Sequence, residues 1–224
     1  MPARILPLVT GEYYHIFNRG INKQPVFLDS RGYQRAIEVM KFYSFNSRIK
    51  FSRLMSLPNS EKEKFWKKFY EKDEMLVEFV CFCLMSNHFH FLVKQNRDGG
   101  ISKFMSNFQN SYTRYFNTKY DKFGPIFQGQ FKAVRVEDDN QLLHLSRYIH
   151  LNPYSSLIVR SLSNLLDYQW SSLPEYLEKV GNQICNSSLV LSNFKDIESY
   201  KRFVFDNADY QRKLGMVKHL TLEG

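Results

Sequence analysis

Two histidines separated by one residue, His88 and His90, begin the apolar segment HFHFLVKQ at residues 88–95. Successive side chains of a β-strand point to opposite faces, so both imidazoles would lie on one face, about 6.5–7 Å apart at Cα. On a helix the same spacing would turn them roughly 200° apart. If the segment is a strand, the pair is suited to hold one metal ion. A hydrogen-bonded core histidine is the alternative for each residue.

The neighbouring residues favour a strand. Segments 75–85 and 88–95 are both rich in Val, Phe and Leu, and the turn residues Ser86 and Asn87 stand between them. We therefore predict a β-hairpin whose second strand begins with the histidine pair.

A second group of polar side chains recurs at helical spacing near residue 150. His144, Tyr148 and Asn152 fall at i, i+4 and i+8, so they would share one face of a helix. Apolar residues of the same helix lie on another face and can anchor it to the core: Leu142, Leu145 and Ile149. The tyrosine and the amide could then reach a metal ion on the hairpin. With 14 tyrosines in the chain, a surface tyrosine is the plain alternative.

The elements that must position these groups follow from the hydrophobic pattern. The order predicted is β-α-β-β-α-β-α, a ferredoxin-like α+β fold with an antiparallel sheet. The strands are expected at residues 13–19, 75–85, 88–95 and 127–136, and the helices at 30–46, at 101–120 and from Asp138 to a stop at Asn152-Pro153. A charged insertion spans about 50–74, with a short solvated helix after Pro58. Residues 154–224 are expected to add helices and loops packed on the core.

The charge is unevenly distributed along the chain. Residues 1–160 carry 24 basic and 14 acidic side chains, a net charge of +10, whereas residues 161–224 carry 7 and 8. A positive field favours a polyanionic partner, of which nucleic acid is the commonest, although a solvated basic surface is the alternative.

Composition limits the class of protein. The 224 residues suffice for one well-buried core, and 43% hydrophobic with 24% charged residues is ordinary for a globular protein. No apolar run reaches the ~18–20 residues of a membrane span, and no signal-peptide core is visible, so we expect a cytoplasmic protein without membrane contact. The three cysteines do not form a disulfide framework.

The two candidate groups together resemble a known family. His88-Phe89-His90 resembles the His-hydrophobe-His motif of the HUH single-strand endonucleases, and residues 147–153 (RYIHLNP) resemble the tyrosine segment of the REP-associated tyrosine transposases. The resemblance extends from residues 14–20 (YHIFNRG) through Phe127-Gln128 to residues 170–172 (WSS). It covers roughly residues 13–175. It implies a catalytic domain over residues 1–160 and a helical extension over 161–224.

The resemblance also implies a chemistry. His88, His90 and Asn152 would bind a divalent ion, Mg²⁺ or Mn²⁺, and Tyr148 would attack a phosphate of single-stranded DNA to leave a 5′-phosphotyrosine link. The DNA is expected to be repeat-derived hairpins, bound by a monomer or a homodimer. Six basic residues are candidates for phosphate contacts: Arg19, Lys94, Arg97, Lys132, Arg135 and Arg147.

Three other functions compete with a transposase-like activity. A non-catalytic single-stranded nucleic-acid-binding protein could stack bases on aromatic side chains of a ferredoxin-like sheet, but it would need neither a histidine pair nor an aligned tyrosine. A metal-dependent hydrolase of small phosphoesters would not become attached to DNA. A replication initiator or relaxase shares the chemistry and is disfavoured only by the segments quoted above.

Overall fold

Four antiparallel strands form the central sheet of the protein. The computed structural model describes residues 7–70, 74–181 and 183–221. The strands are β1 (Tyr13–Arg19), β2 (Val77–Met85), β3 (His88–Gln95) and β4 (Lys132–Arg135), and they lie in the order β2-β3-β1-β4. Each neighbouring pair is antiparallel. This arrangement confirms the predicted ferredoxin-like α+β fold.

One face of the sheet packs on a long helix over Gly100–Tyr120, and α1 (Ser30–Tyr43) packs against that helix. Phe89 and Phe91 of β3 point to this face, and the Phe89 ring centroid lies 5.4 Å from that of Phe108 on the long helix. Both strand phenylalanines are fully buried, and burial of such a side chain contributes about 1.5–3 kcal/mol. In β3 the odd-numbered side chains therefore point to this helical face and the even-numbered ones to the opposite face. In β1 the even-numbered side chains point to the helical face, because Asn18 pairs with Phe89.

The predicted insertion contains two helices. The helix expected after Pro58 is confirmed as α3 (Asn59–Tyr70). A shorter helix, α2 (Phe51–Met55), was not predicted, and it buries Phe51 and Leu54 in the core. The start of the insertion is therefore part of the packed structure, and the prediction of a merely charged insertion was incomplete. Residues 71–73 lie outside the described part of the chain.

The long helix of the core face is α4 (Gly100–Tyr120), and it buries an apolar stripe. The buried members are Ile101, Phe104, Met105, Phe108, Tyr112 and Phe116. The Tyr112 hydroxyl donates to the carbonyl of Val26 at 2.8 Å, as expected for a core tyrosine.

Several element ends differ from the prediction. Helix α1 ends at Tyr43 instead of residue 46, and β2 begins at Val77 instead of residue 75, because Ser44 leaves the helix to accept the amide of Leu76 at 2.7 Å. Phe127 makes only an isolated bridge to Gly20, and the chain turns at Gly129 (φ +23) before β4 begins.

Helix α5 (Asp139–Ser155) carries the tyrosine segment and continues two residues past Pro153, where a stop was predicted. Pro153 has no N–H, but the last turn is held by other donors. The Ser155 hydroxyl donates to the carbonyl of Leu151 at 3.1 Å, and the Ser156 amide donates to that of Asn152 at 2.9 Å.

The residues after α5 cover the outer edge of β2. The Leu84 amide donates to the carbonyl of Trp170 at 2.8 Å, and the Ser172 amide donates to that of Phe82 at 3.0 Å. In the described residues after α5 the chain forms α6 (Leu162–Leu165), α7 (Leu173–Tyr176), α8 (Ser188–Leu191), α9 (Ile197–Phe205) and α10 (Ala208–Thr221). Within the described ranges, no helix has the length and apolar character that crossing a membrane requires.

Candidate active site

The histidine pair lies on the face of the sheet opposite α1 and α4. Strand register pairs His90 with Phe17 of β1, and His88 with Arg19. Cross-strand partners share a face, so all four side chains belong to the same surface. His90 is 7% exposed and His88 is half-buried. The predicted placement of both imidazoles on one strand face is confirmed.

Helix α5 brings Tyr148 to this face. The helix begins at the N-cap Asp138, which accepts the amide of Gln141 at 2.7 Å, and the Gln141 side chain accepts the amide of Glu137 at 2.6 Å. The Tyr148 ring stands edge-on to His90, with centroids 5.6 Å apart and an angle of 83° between the planes. Tyrosine and histidine pair therefore meet although 58 residues separate them in the chain.

His150 fixes α5 at the tyrosine. Its ring is fully buried, with Nδ1 2.7 Å from the Tyr200 hydroxyl and Nε2 2.8 Å from Oγ of Ser172. Burial lowers the pKa of His150 to about 3, so the ring is neutral at physiological pH. His150 is thus a structural residue of the core, while His144 packs near Phe203 and lies 2.8 Å from an Arg147 nitrogen.

The Tyr148 phenol is partly accessible, with the residue 37% exposed. Burial of the rest raises the pKa of Tyr148, and hydrogen bonding with the Asn152 side chain and the charge of Arg19 act in the opposite direction. The phenol is therefore protonated near neutral pH, and its use as a nucleophile requires activation.

Asn152 lies one turn beyond Tyr148 and is 5% exposed. Its Nδ2 donates to the backbone carbonyl of Tyr148 at 2.9 Å, and Nε2 of Gln211, from α10, donates to the same oxygen at 3.0 Å. The amide nitrogen of Asn152 is therefore hydrogen-bonded within α5. Its oxygen is the atom that the predicted metal role requires.

The electrostatics of the histidine pair suit a metal ligand. Burial lowers the pKa of His88 to about 4, with the charge of Arg19 adding to the effect, and burial lowers the pKa of His90 well below its usual range. Both rings are neutral at physiological pH, which is the form that binds metal ions.

The spacing of the two rings also fits one ion. Their centroids are 5.1 Å apart and their planes perpendicular. With a metal–nitrogen distance of about 2.1 Å and an angle of about 90–110°, two imidazoles on one ion have centroids roughly 4.5–5.3 Å apart. In the described ranges no three His, Cys, Asp or Glu side chains form a metal-binding group. The candidate set is therefore two imidazoles and one amide, and phosphate oxygens would supply further ligands.

Three of the predicted phosphate-binding residues lie on the face of the histidine pair. Arg19 is opposite His88, Lys94 is opposite Tyr13, and Lys132 is opposite Phe17. Lys132 is exposed, and its Nζ lies 5.9 Å from the centroid of the Phe17 ring. Together they make this part of the sheet positively charged.

The other three predicted residues are placed differently. Arg135 pairs with Tyr14, so it lies on the opposite face of the sheet, where it forms a 2.8 Å ion pair with Glu12. Arg147 stacks over Phe203, 4.4 Å from the ring centroid. Arg97 is exposed in the loop after β3. Their roles in binding DNA stay predictions.

Sequence reasoning did not single out two further residues of the site. His15, on β1, places Nε2 2.9 Å from Nδ1 of His90, and its ring centroid lies 6.2 Å from that of Tyr148. Asn87 places Oδ1 2.6 Å from Nδ1 of His88. Asn87 could have been predicted, because it is a polar residue next to the pair in sequence. His15 is 75 residues from His90 in sequence, and only the strand register brings it to the pair.

Comparisons with known proteins find one matching family and a similar solved structure. The model of the family "Transposase IS200 like" matches residues 56–152, a range that contains the histidine pair, Tyr148 and Asn152. No curated protein matches the chain. A solved structure of a REP-associated tyrosine transposase bound to a REP hairpin is similar with a TM-score of 0.53 at 12% identity, over 83% of this chain and 94% of that chain. At that identity the likeness shows a shared fold. Residues 56–152 therefore match the IS200-like transposase family, and the resemblance to that family is confirmed over this range.

Proposed function

We propose that this protein cuts and rejoins single-stranded DNA through a covalent link between Tyr148 and a 5′-phosphate. The observation that carries the proposal is the contact of the Tyr148 ring with His90, at 5.6 Å between centroids, on a face that also presents Arg19 and Lys132. A nucleophile, a neutral histidine pair and cationic side chains stand within one surface, as phosphoryl transfer requires.

His88, His90 and the Asn152 amide oxygen are the groups that would hold a divalent ion, and Mg²⁺ or Mn²⁺ is proposed. When bound, such an ion polarises a phosphate oxygen and stabilises the charge that develops at phosphorus. The neutrality of both imidazoles and their 5.1 Å spacing support this assignment.

The chain's own residues would carry the covalent step. The Tyr148 oxygen forms a bond to phosphorus while the bond from phosphorus to the 3′ oxygen breaks, which leaves a 5′-phosphotyrosine and a 3′-hydroxyl. The phenol loses one proton to solvent and the departing 3′ oxygen takes one up. One phosphodiester replaces another, so the step needs no nucleotide triphosphate. Attack by a 3′-hydroxyl on the same phosphorus reverses it.

The substrate is proposed to be a DNA hairpin with a single-stranded flank. Two features of the face support a single strand: Phe17 offers a partly exposed ring beside Lys132, and Arg19 lies next to the histidine pair. Aromatic rings stack on bases and basic side chains contact phosphates. The similar solved structure is bound to a REP hairpin, and this likeness supports a DNA hairpin as the substrate. Residues 1–160 are proposed as the catalytic unit and 161–224 as its helical extension.

The test is a trapping experiment with 5′- and 3′-labelled single-stranded oligonucleotides that carry the genomic hairpins, in the presence of Mn²⁺. A denaturing gel should show a labelled protein band, and peptide mapping should place the DNA on the peptide that contains Tyr148. Tyr148→Phe should bind the oligonucleotide and form no adduct, while Tyr112→Phe and Tyr115→Phe still form it. An adduct on another tyrosine would mean that the nucleophile is misassigned. Cleavage with no adduct would indicate attack by water and a hydrolase.

Metal dependence is tested with His88→Ala, because His88 is half-buried and its loss disturbs the core less than loss of the buried His90. The variant should form adduct at least ten-fold more slowly at limiting Mn²⁺. Full activity of the variant in the presence of chelator would remove the metal from the proposal.

A further inference from the structure

Each histidine of the pair has a neutral hydrogen-bond partner on its Nδ1 atom. Nδ1 of His88 lies 2.6 Å from Oδ1 of Asn87, and Nδ1 of His90 lies 2.9 Å from Nε2 of His15. In the described part of the chain, neither Nε2 of the pair has a hydrogen-bond partner. In both rings, therefore, Nδ1 is hydrogen-bonded and Nε2 is not. The partners come from different elements, since Asn87 precedes β3 and His15 lies on β1.

We infer that Asn87 and His15 are positioning residues that keep the ring proton of His88 and His90 on Nδ1, so that both Nε2 atoms have a free lone pair for the metal ion. The inference rests on the proposed function in that it assigns a metal to this pair. It adds two residues, and the tautomer of each ring, to that assignment.

Asn87 determines the tautomer of His88 through its own orientation. Nδ2 of Asn87 donates to the carbonyl of Lys23 at 2.9 Å, so Oδ1 is the atom turned toward the histidine. An amide oxygen only accepts hydrogen bonds. Nδ1 of His88 must therefore be the donor, and in the neutral ring Nε2 is then unprotonated.

The contact between His15 and His90 allows two states, because either nitrogen can carry the shared proton. If His15 donates, His90 holds its proton on Nε2 and cannot bind a metal through that atom. If His90 donates, its Nε2 is free and His15 carries its own proton on Nδ1. The second state is the one compatible with a metal at the pair, and it makes His15 an acceptor.

Packing holds the His15 ring in place for this contact. The ring stacks on His90 with centroids 5.1 Å apart and planes 23° apart, and it lies 4.9 Å from the Phe17 ring. Strand pairing sets the position of His15, since it is opposite Leu92, two residues beyond His90 on the same face.

The neutrality of both partners has a physical reason. Metal-binding histidines commonly donate to a carboxylate or a backbone carbonyl, and the partner orients the ring and raises its basicity. A carboxylate would place a negative charge close to the phosphate that must enter this site. An amide and an imidazole orient the ring without that repulsion.

The first measurement reads the tautomers without metal or DNA. The full chain, labelled with ¹⁵N-histidine, is studied near pH 7.5 by long-range ¹H–¹⁵N correlation, and the signals are assigned with single histidine variants. His88 and His90 should both show a protonated Nδ1 and an unprotonated Nε2. A protonated Nε2 on His90 would overturn the assignment of His15, and one on His88 would overturn that of Asn87.

The second measurement is Mn²⁺ affinity, read from the electron paramagnetic resonance signal of free Mn²⁺. His15→Ala and Asn87→Ala should each bind Mn²⁺ about 10–100-fold more weakly, the usual effect of losing such a partner. His15→Gln retains a neutral acceptor and should recover part of the affinity. His144→Ala, which removes an exposed histidine that contacts Arg147 and Phe203, is the matched control and should bind as the wild type does.

The outcomes separate this inference from the proposed function. Unchanged Mn²⁺ affinity in folded His15→Ala and Asn87→Ala overturns the positioning roles, even if the wild type forms the DNA adduct. Tight Mn²⁺ binding with the expected tautomers but no adduct overturns the proposed function alone. Pulsed electron paramagnetic resonance of bound Mn²⁺ counts the histidine nitrogens that are coupled to the metal. Two couplings, from His88 and His90, are expected in both the wild type and His15→Gln. Three couplings in the wild type and two in His15→Gln would mean that His15 is itself a ligand. Where an alanine variant does not fold, the wild-type tautomers and His15→Gln still decide the question.

Discussion

Lowering the pH from about 7.5 to about 5.5 should destabilise the fold through histidines that it keeps neutral. His150 is the clearest case, because its ring is fully buried between Tyr200 and Ser172 and its pKa falls to about 3. In the unfolded chain a histidine titrates near pH 6.5. Between these two values the unfolded state binds a proton that the folded state does not.

The sign and size of the effect follow from this difference. The stability that neutral His150 contributes is present above pH ~6.5 and is lost as the pH falls toward about 3. From pH 7.5 to 5.5 one such histidine lowers the free energy of unfolding by about 1.4 kcal/mol. Burial also lowers the pKa of His15 and His88 to about 4 and that of His90 well below its usual range. The four together give about 5 kcal/mol as an upper bound.

The assay compares urea unfolding of wild type and His150→Gln at both pH values, without metal. Glutamine can keep only part of the contacts of His150, so the variant should already be about 1–3 kcal/mol less stable at pH 7.5. Between pH 7.5 and 5.5 the free energy of unfolding of this variant should fall by about 1.4 kcal/mol less than that of the wild type. His144→Gln, at an exposed position, is the control and should lose as much as the wild type. An equal acid loss in His150→Gln and wild type would refute the reasoning.

Two further predictions concern the packing next to the site and the face that is proposed to bind DNA. A Cβ at Gly20 would clash with the carbonyl oxygen of Gln24, so Gly20→Ala should lower the free energy of unfolding by about 1–3 kcal/mol in urea titrations, whereas Gly181→Ala, with open space, should change it little. If the bound strand neutralises about five phosphates, log K should fall against log salt with a slope near −3.5. Lys132→Ala should reduce that slope by about 0.7, and Lys179→Ala, which removes the ion-pair partner of Asp167 after α5, should leave it unchanged; equal effects would contradict the assignment of DNA to the face of the histidine pair.

The parts of the fold that the sequence predicts well are those with a strong local period. The bounds of β1 and β3 are confirmed to the residue, and those of α4 to within one. Their alternation or helical stripe is set by residues a few positions apart. Where long-range contacts decide an end, the prediction was wrong. Ser44 leaves α1 because its carbonyl accepts the amide of Leu76, which lies 32 residues away.

The candidate site divides in the same way. The histidine spacing and the face shared by Tyr148 and Asn152 are local patterns and could be read directly. The approach of His15 to His90 depends on the register of β1 against β3, and no local pattern specifies that register. The same holds for His150, whose partners Ser172 and Tyr200 come from the segment after α5.

Those partners connect the segment after α5 with the tyrosine. Ser172 lies on the edge of β2, where its amide donates to Phe82, and the same residue contacts His150 through its hydroxyl. His150 is two residues from Tyr148 on a helix, so the position of the phenol depends on a contact that crosses from α5 to the sheet edge. Gln211 of α10 adds a second tie at the Tyr148 carbonyl. A side chain that is proposed to act beside a histidine pair on a rigid sheet needs its helix held at both ends of this turn. The residues after 160 therefore take part in orienting Tyr148, although none of them was a candidate for the chemistry.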